Sequence, residues 1–386
     1  MKKAAIYSFF ESYNIGDVLI AQQVEKIFLP YFECKFFDIG SGKPSNECKL
    51  KQIEQGNKQK ASAKRTILKI PVLKDVITSF LFYRSKKYLK IAQAGSDSDI
   101  AIFAGGNIIM ELSKLPTGIL TLYHTVKYLK RQNKKVCFCF CGVGPFASAI
   151  DKKIAKKIIE YADYISVRDE YSRSCVEMLV PQKPVELWPD PVISYSPLKN
   201  ELCQEKGIGI NVYFGSEQKN RVKMRDAYVM CIKQIQNKYP QKNIYLFSSE
   251  LTDKDDINSV LSEFKGNSSI IKSKINSSED LFDFYAKVEV IVAARMHTLI
   301  TAIISQIPVV SVAWQGKVAS VMELLNLKEF NFSVKTFITK TEKITDAVDK
   351  CFLEKEKYLK KTKETILNIK EDIPQKIKNF ALYLEE

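Results

Sequence analysis

Histidine is nearly absent from this chain: His124 and His297 are the only two in 386 residues. That scarcity excludes a site built on a histidine cluster and leaves two positions for imidazole acid–base chemistry. Nine cysteines are present, yet none stand in the two-residue gaps that curl a turn around a structural zinc ion, so no metal site is expected. Three of them, Cys137, Cys139 and Cys141, alternate inside the run "KKVCFCFCGVG". Period 2 predicts all three on one face of a strand, as buried thiols of a reducing compartment. No run of about 18 apolar residues occurs, which argues against a membrane-spanning helix. The N-terminal "MKKAAIYSFFESYNIGD" begins with two lysines, but its apolar stretch ends before Glu11 and no small-residue cleavage site follows. It reads as the first strand of a soluble cytoplasmic protein, not as a signal peptide. Neither GxGxxG nor a P-loop glycine pattern is found. Acidic residues are outnumbered, 44 against 59 Lys and Arg, and the resulting +15 predicts attraction to something anionic.

What the chain does have is a recurring series of apolar runs of strand length. They are "AAIYSFF", "CKFFDIG", "DIAIFAGG", "KVCFCFCGVG", "YISVRD" and "VELWPDPV", then "KGIGINVYF", "KNIYLFSS", "SIIKS", "VEVIVAA" and "IPVVSVAW". Strands apolar throughout predict parallel sheets covered by helices on both faces, an α/β architecture repeated twice. A proline-rich, polar stretch places the switch at residues 197 to 206, giving an N-terminal Rossmann-like domain over 1–200 and a C-terminal one over 201–386. Two such domains are expected to meet across a central cleft, with ligands beyond the carboxyl ends of the strands. A basic insertion near residues 42–95 interrupts the first series. From 61 to 95 it carries eight Lys or Arg against the single Asp75, and reads either as a membrane-surface segment or as a helix with a solvated lysine face. The C-terminal tail from 341 onward alternates charges at helical spacing and reads as one or two surface helices.

Several strand ends carry residues suited to chemistry. In "SYNIGDVLI", Asn14, Gly16 and Asp17 form a turn into an amphipathic helix, where Gly16 lets backbone amides approach a ligand; Asp17 is either a first-turn acid or a catalytic group. Gly105, Gly106 and Asn107 end another strand and serve either a tight turn or the close approach of a phosphate or sugar. Arg168 pairs locally with Asp169 or acts as an anion clamp, while Asp190, between two prolines, reads as structural. The junction "VEVIVAARMHTLITAIISQ" is the strongest candidate. Arg295 and His297, two apart at a strand's end and followed by a short buried helix, must be paired or used. His124 lies in a helical pattern and reads as a satisfied interior histidine.

Taken in order, "N-x-G-D", "GG", "GVGP", "ISVRDEYS", an Asp-Pro and "ARMHTLITAIISQIPVVSVAWQGK" resemble the polysaccharide pyruvyltransferase family over roughly residues 5 to 325. Asn107 stands where a third Gly is common, and Met296 where Leu is. The resemblance implies a GT-B-like pair of Rossmann-like domains, phosphoenolpyruvate as donor substrate with no further cofactor, and transfer of pyruvate as a ketal onto a sugar or lipid-linked oligosaccharide. The acceptor side would be the N-terminal domain and the donor site the C-terminal one. It implies a substrate-binding set of Arg295, Arg168, Asn14, Gly16, Gly105, Gly106, Asn107 and Lys317. In that scheme His297 is the proton donor and Asp17 the base, with Asp190 an alternative base. Arginine forks suit a ligand carrying phosphate and carboxylate, and an imidazolium beside two anions holds its proton near neutrality. A GT-B glycosyltransferase using a nucleotide sugar, with Arg295 on the diphosphate, is the nearest rival. A non-catalytic protein binding anions or membrane is the second. No nucleic-acid module is recognisable, and peripheral contact with the inner face of an anionic plasma membrane fits a lipid-linked acceptor.

Overall fold

The computed structural model describes residues 1–45, 49–50 (backbone only), 86–112, 117–197, 206–215 and 220–385. Most of the basic segment 61–95 and of the expected switch at 197–206 lies outside the described residues. The chain divides into two compact units. Unit 1 comprises Met1–Ser12, Ile20–Pro191 and Lys376–Glu386, and unit 2 comprises Tyr13–Leu19 and Val192–Gln375. The main crossing thus follows Pro191. Two more segments change unit: the start of the helix Ile15–Phe28 belongs with unit 2, and the end of the helix Lys355–Glu385 with unit 1. The expected reading of the C-terminal tail as surface helices misses this last step, because Phe380 is buried and its ring lies 5.6 Å from Trp188 and 4.7 Å from Tyr164.

Unit 1 is built on a parallel sheet of β1 (Lys3–Ser8), β3 (Glu33–Asp38), β5 (Ile100–Ala104), β7 (Lys135–Phe146), β8 (Tyr164–Val167) and β9 (Glu186–Leu187). Their spatial order is β3-β1-β5-β7-β8-β9, and β6 (Asn107–Glu111) pairs β7 off this path. A small pair of β2 (Glu11–Ser12) and β4 (Lys49–Leu50) stands apart. Registered neighbours stack their rings: Phe37 on Tyr7, Tyr7 on Phe103 at 4.8 Å, and Phe103 on Phe138 at 5.2 Å. Such cross-strand aromatic pairs fix register and bury large apolar areas on one face.

The cysteine alternation does not survive folding intact. Phe140 adopts φ 56° and the pairing of β7 with β8 shifts register between Phe138 and Cys141. The extra residue turns Cys141 to the face of Phe138, leaving Cys137 and Cys139 on the other, so the expectation of one shared face is corrected. All three thiols are buried, and burial raises each above its ordinary range.

The helix Lys87–Ala94, at the end of the basic segment, packs Ile91 and Ala92 inward and leaves Lys87 and Lys90 exposed. At the turn from β5 to β6, Gly105 and Gly106 take φ 70° and 69°. A Cβ on Gly105 would meet Ile20 Cγ2 at 2.1 Å, so the tight-turn role accounts for this glycine. Asn107 turns inward. Its Oδ1 accepts a hydrogen bond from Arg168 Nη2.

Arg168 follows β8 and is only 2% exposed. Its Nη1 donates to Asp190 Oδ2 at 3.0 Å and its Nε lies 3.5 Å from Asp169 Oδ2. Two carboxylates already match its charge inside unit 1, so the anion-clamp expectation gives way to the local pairing. Asp190 is equally enclosed, which removes it as an alternative base.

Replacing Gly105 with Ala should destabilise the fold by about 2–4 kcal/mol, from backbone strain plus overpacking against Ile20. Arg168→Ala should cost about 3–5 kcal/mol, because it leaves buried carboxylates uncompensated. Urea unfolding of the two variants measures both; an Arg168→Ala protein as stable as wild type would remove the structural role.

Candidate functional site

Unit 2 holds a six-stranded parallel sheet of β10 (Gly207–Asn211), β11 (Ile244–Phe247), β12 (Ile270–Lys272), β13 (Val288–Ala293), β14 (Val309–Ala313) and β15 (Asn331–Ser333). The spatial order is β12-β11-β10-β13-β14-β15. By sequence rank this is 3-2-1-4-5-6, the doubly wound order, whose direction reverses between β10 and β13. At that reversal neighbouring connections leave to opposite faces, and a crevice opens at the carboxyl ends of the two strands.

Arg295 stands there. Asn211 and Ala293 are paired at the ends of β10 and β13, and two residues on the chain turns into the helix Met296–Ile304. The helix starts earlier than an extended "ARMH" would allow, so Arg295 is its N-cap and His297 lies in its first turn. Asn211 is wholly buried and ties the corner: its Oδ1 accepts from the Arg295 backbone N at 3.2 Å, and its Nδ2 donates to the Phe247 carbonyl at 3.3 Å.

The Arg295 side chain is 15% exposed and makes three kinds of contact. Its Nε and Nη2 grip Asp253 side-on at 3.1 and 2.6 Å, Nη1 meets Glu250 Oε2 at 2.6 Å, and the guanidinium sits 3.8 Å from the centroid of the Tyr213 ring. A bidentate carboxylate and a cation–π contact both hold the plane of the fork. Burial works against the charge on Arg295, but Asp253 and Glu250 outweigh it and raise its pKa. Burial likewise pushes Asp253 up, while Arg295 pulls it back. The Tyr213 hydroxyl is pushed up to about 12 by burial, so the ring beneath Arg295 stays neutral.

The "NIGD" turn belongs to the same corner. Asn14 Nδ2 donates to Glu250 Oε2 at 3.2 Å, the Ile15 N donates to the Ser249 carbonyl at 3.0 Å, and the Leu251 N to the Tyr13 carbonyl at 3.0 Å. Asn14 also accepts from the Gly16 N at 2.8 Å. A Cβ on Gly16 would fall 2.1 Å from His297 Nδ1, so the imidazole rests directly on the glycine backbone. Two motifs about 280 positions apart in sequence therefore form one site within unit 2. Asp17 is half-buried in the first turn of the helix Ile15–Phe28.

Beyond β14, Trp314 donates its Nε1 proton to the Ala294 carbonyl at 3.1 Å and meets the Tyr213 ring edge-on at 4.9 Å. Lys317, in the first turn of the helix Gly316–Leu324, holds its Nζ 5.8 Å from the Trp314 ring. Neither this helix nor Met296–Ile304 has an acidic residue in its own first turn.

Of the expected set, Asn14, Gly16 and Asp17 share the corner of Arg295 and His297 in unit 2, with Lys317 beside Trp314. Arg168, Gly105, Gly106 and Asn107 lie in unit 1. Sequence reading missed Tyr213, Glu250, Asp253 and Trp314. The acids follow directly on "YLFSS", a strand end like the others, and that position was their only signal. Among the described residues no group of three or more His, Cys, Asp or Glu is placed to hold a metal ion, and none of their helices is long and apolar enough to cross a membrane.

Solved structures share this fold over nearly the whole chain. The UDP-GlcNAc 2-epimerase of Neisseria meningitidis bound to UDP-GlcNAc is 11% identical, with TM-score 0.60 over 99% of this chain and 100% of that one. The Methanocaldococcus jannaschii UDP-GlcNAc 2-epimerase in complex with UDP-GlcNAc and UDP is 12% identical, with TM-score 0.57 over 90% and 92%. Anabaena Alr3699/HepE in complex with UDP and glucose is 10% identical, with TM-score 0.52 over 98% and 100%. The molecule thus has a GT-B-like α/β fold, made of two Rossmann-like units. None of the curated proteins matches the chain in sequence.

These likenesses correct the expectation of phosphoenolpyruvate as partner: the three structures were solved with UDP or UDP-GlcNAc. The family itself stands: the polysaccharide pyruvyl transferase model matches residues 14–316, from the Asn14 turn to the start of the Gly316 helix, and the chain belongs to that family.

Proposed function

We propose that the protein is a GT-B-like transferase acting on a nucleotide-activated sugar in the building of a glycan, with the nucleoside diphosphate bound by unit 2. The observation that carries this reading is the clustering of Arg295 and His297 at the reversal of strand order, in a fold whose solved relatives hold UDP or UDP-sugars. Two helix N-termini free of first-turn acids, together with Lys317, suit a diphosphate. Trp314 and Tyr213 supply aromatic surface for a base or sugar ring.

In this scheme the bond from the anomeric carbon to the diphosphate oxygen breaks, and its electron pair leaves with the diphosphate. His297 and Lys317 offset the charge that builds there. An acceptor hydroxyl attacks the anomeric carbon, and Asp17 takes its proton. Family membership favours one further reading of the same site: an enol ester of pyruvate is the donor, its methylene carbon takes a proton, and two hydroxyls of the nucleotide-borne sugar bond to its C2 as the ester's leaving group departs with the electron pair and a proton, giving the ketal.

Calorimetric titration with UDP, followed by incubation with UDP-sugars, tests the proposal. UDP should bind wild type, and Lys317→Ala should weaken it about tenfold, the worth of one charge-assisted contact. Gly16→Ala, which drives a methyl group into His297, should lower turnover far more than it lowers UDP affinity. Free UDP among the products supports sugar transfer, whereas a pyruvylated nucleotide sugar supports the family variant. Absence of UDP binding, with phosphate released from phosphoenolpyruvate instead, would overturn the nucleotide reading.

A further inference from the structure

Arg295 is held by two carboxylates of unequal standing. Asp253 has a side chain 6% exposed, takes two guanidinium nitrogens, and is itself braced by Ser248 Oγ at 2.7 Å. Glu250 is 21% exposed and reaches only Nη1, with Asn14 Nδ2 at 3.2 Å and Thr252 Oγ1 at 2.7 Å as its other contacts. One carboxylate is an anchor; the other sits on the side of the fork that a ligand can reach.

Glu250 also borders a second, oppositely charged space. A cavity of about 170 Å³ beyond the carboxyl ends of β11 and β12 is lined by Lys254, Lys272 and Lys274, and Glu250 is the only acid among its described lining residues. Lys272 donates to Asn258 Oδ1, which keeps that ammonium at the rim. The carboxylate is therefore paired with one guanidinium and borders a cavity lined by three lysines, all within unit 2.

We propose that Glu250 is a displaceable counter-ion: without ligand it fills the anion seat on Arg295 Nη1, and an incoming diphosphate takes the seat while the carboxylate turns to the lysine-lined cavity. This rests on the reading of unit 2 as a nucleoside-diphosphate site and adds what fills that site's anion seat when it is empty. Without Glu250, the Nη1 donor of a mostly buried guanidinium would lose its acceptor. Exchanging one carboxylate for a phosphate avoids that state, and the lysines keep the released carboxylate from standing next to the ligand's charge.

The test is Glu250→Gln, which keeps the shape and one acceptor but removes the competing charge. UDP and inorganic pyrophosphate should each bind about fivefold tighter than to wild type, the scale of a partly exposed ion pair. The pair Lys254→Ala and Lys274→Ala should weaken both ligands in the wild-type background and leave them unchanged in the Glu250→Gln background, a coupling that a double-mutant cycle isolates. Equal or weaker binding by Glu250→Gln, with its melting temperature unchanged, would overturn the inference. So would a lysine effect of the same size in both backgrounds. Pyrophosphate binding that tightens in Glu250→Gln while UDP fails to bind either protein would sink the nucleotide reading and leave the counter-ion intact.

Discussion

The pairing of Arg295 with Asp253 and Glu250 is the constraint around which unit 2's site is organised. A guanidinium mostly removed from water is tolerated only when its charge and its donors are matched. Asp253 and Glu250 match the charge, Tyr213 covers one face, and Asn211 fixes the backbone from which the side chain leaves. Backbone bonds from Ile15 to Ser249 and from Leu251 to Tyr13 tie the N-terminal turn to the same corner and bring Gly16 under His297. The imidazole's position therefore survives a movement of the Glu250 side chain.

Unit 1 contains a similar device put to a different use. Arg168, like Arg295, follows the carboxyl end of a parallel strand and faces two carboxylates. Its side chain is 1% exposed against 15% for Arg295. That difference decides the roles: a guanidinium sealed among carboxylates and Asn107 braces the turns after β5 and β8, whereas one with an open edge can exchange a partner. Chemistry of residue type is the same in both places, and solvent access separates structure from function.

The extent to which the sequence was legible follows from the range of the interactions involved. Apolar runs marked every long strand because a parallel sheet covered on both faces needs them, and that need is local. β6 escaped because it follows Gly105 and Gly106 within the same apolar run and reads as a continuation of β5. The face of Cys141 was misread because a single positive φ at Phe140 inserts a residue that no composition signals. Glu250 and Asp253 escaped for a different reason: their partner lies more than forty positions away, and an acidic pair after a strand looks like ordinary surface charge. Arg295 and His297 were legible because charged groups between two apolar segments demand an explanation wherever the chain folds.

A site with two carboxylates to one arginine looks ill suited to an anionic ligand, and the sum of charges alone would argue against a diphosphate there. The balance changes once the groups are sorted by what can move. Asp253 is buried and bidentate, so it is part of the scaffold and its charge cancels that of Arg295. Around it stand Lys317, His297 and two helix N-termini, with the carboxylates of Glu250 and Asp17. With Glu250 turned to Lys254, Lys272 and Lys274, the field at the carboxyl ends of β10, β13 and β14 becomes positive. The overall +15 of the chain acts at long range and is screened by salt within about 8–10 Å, whereas this local reversal acts at contact distance.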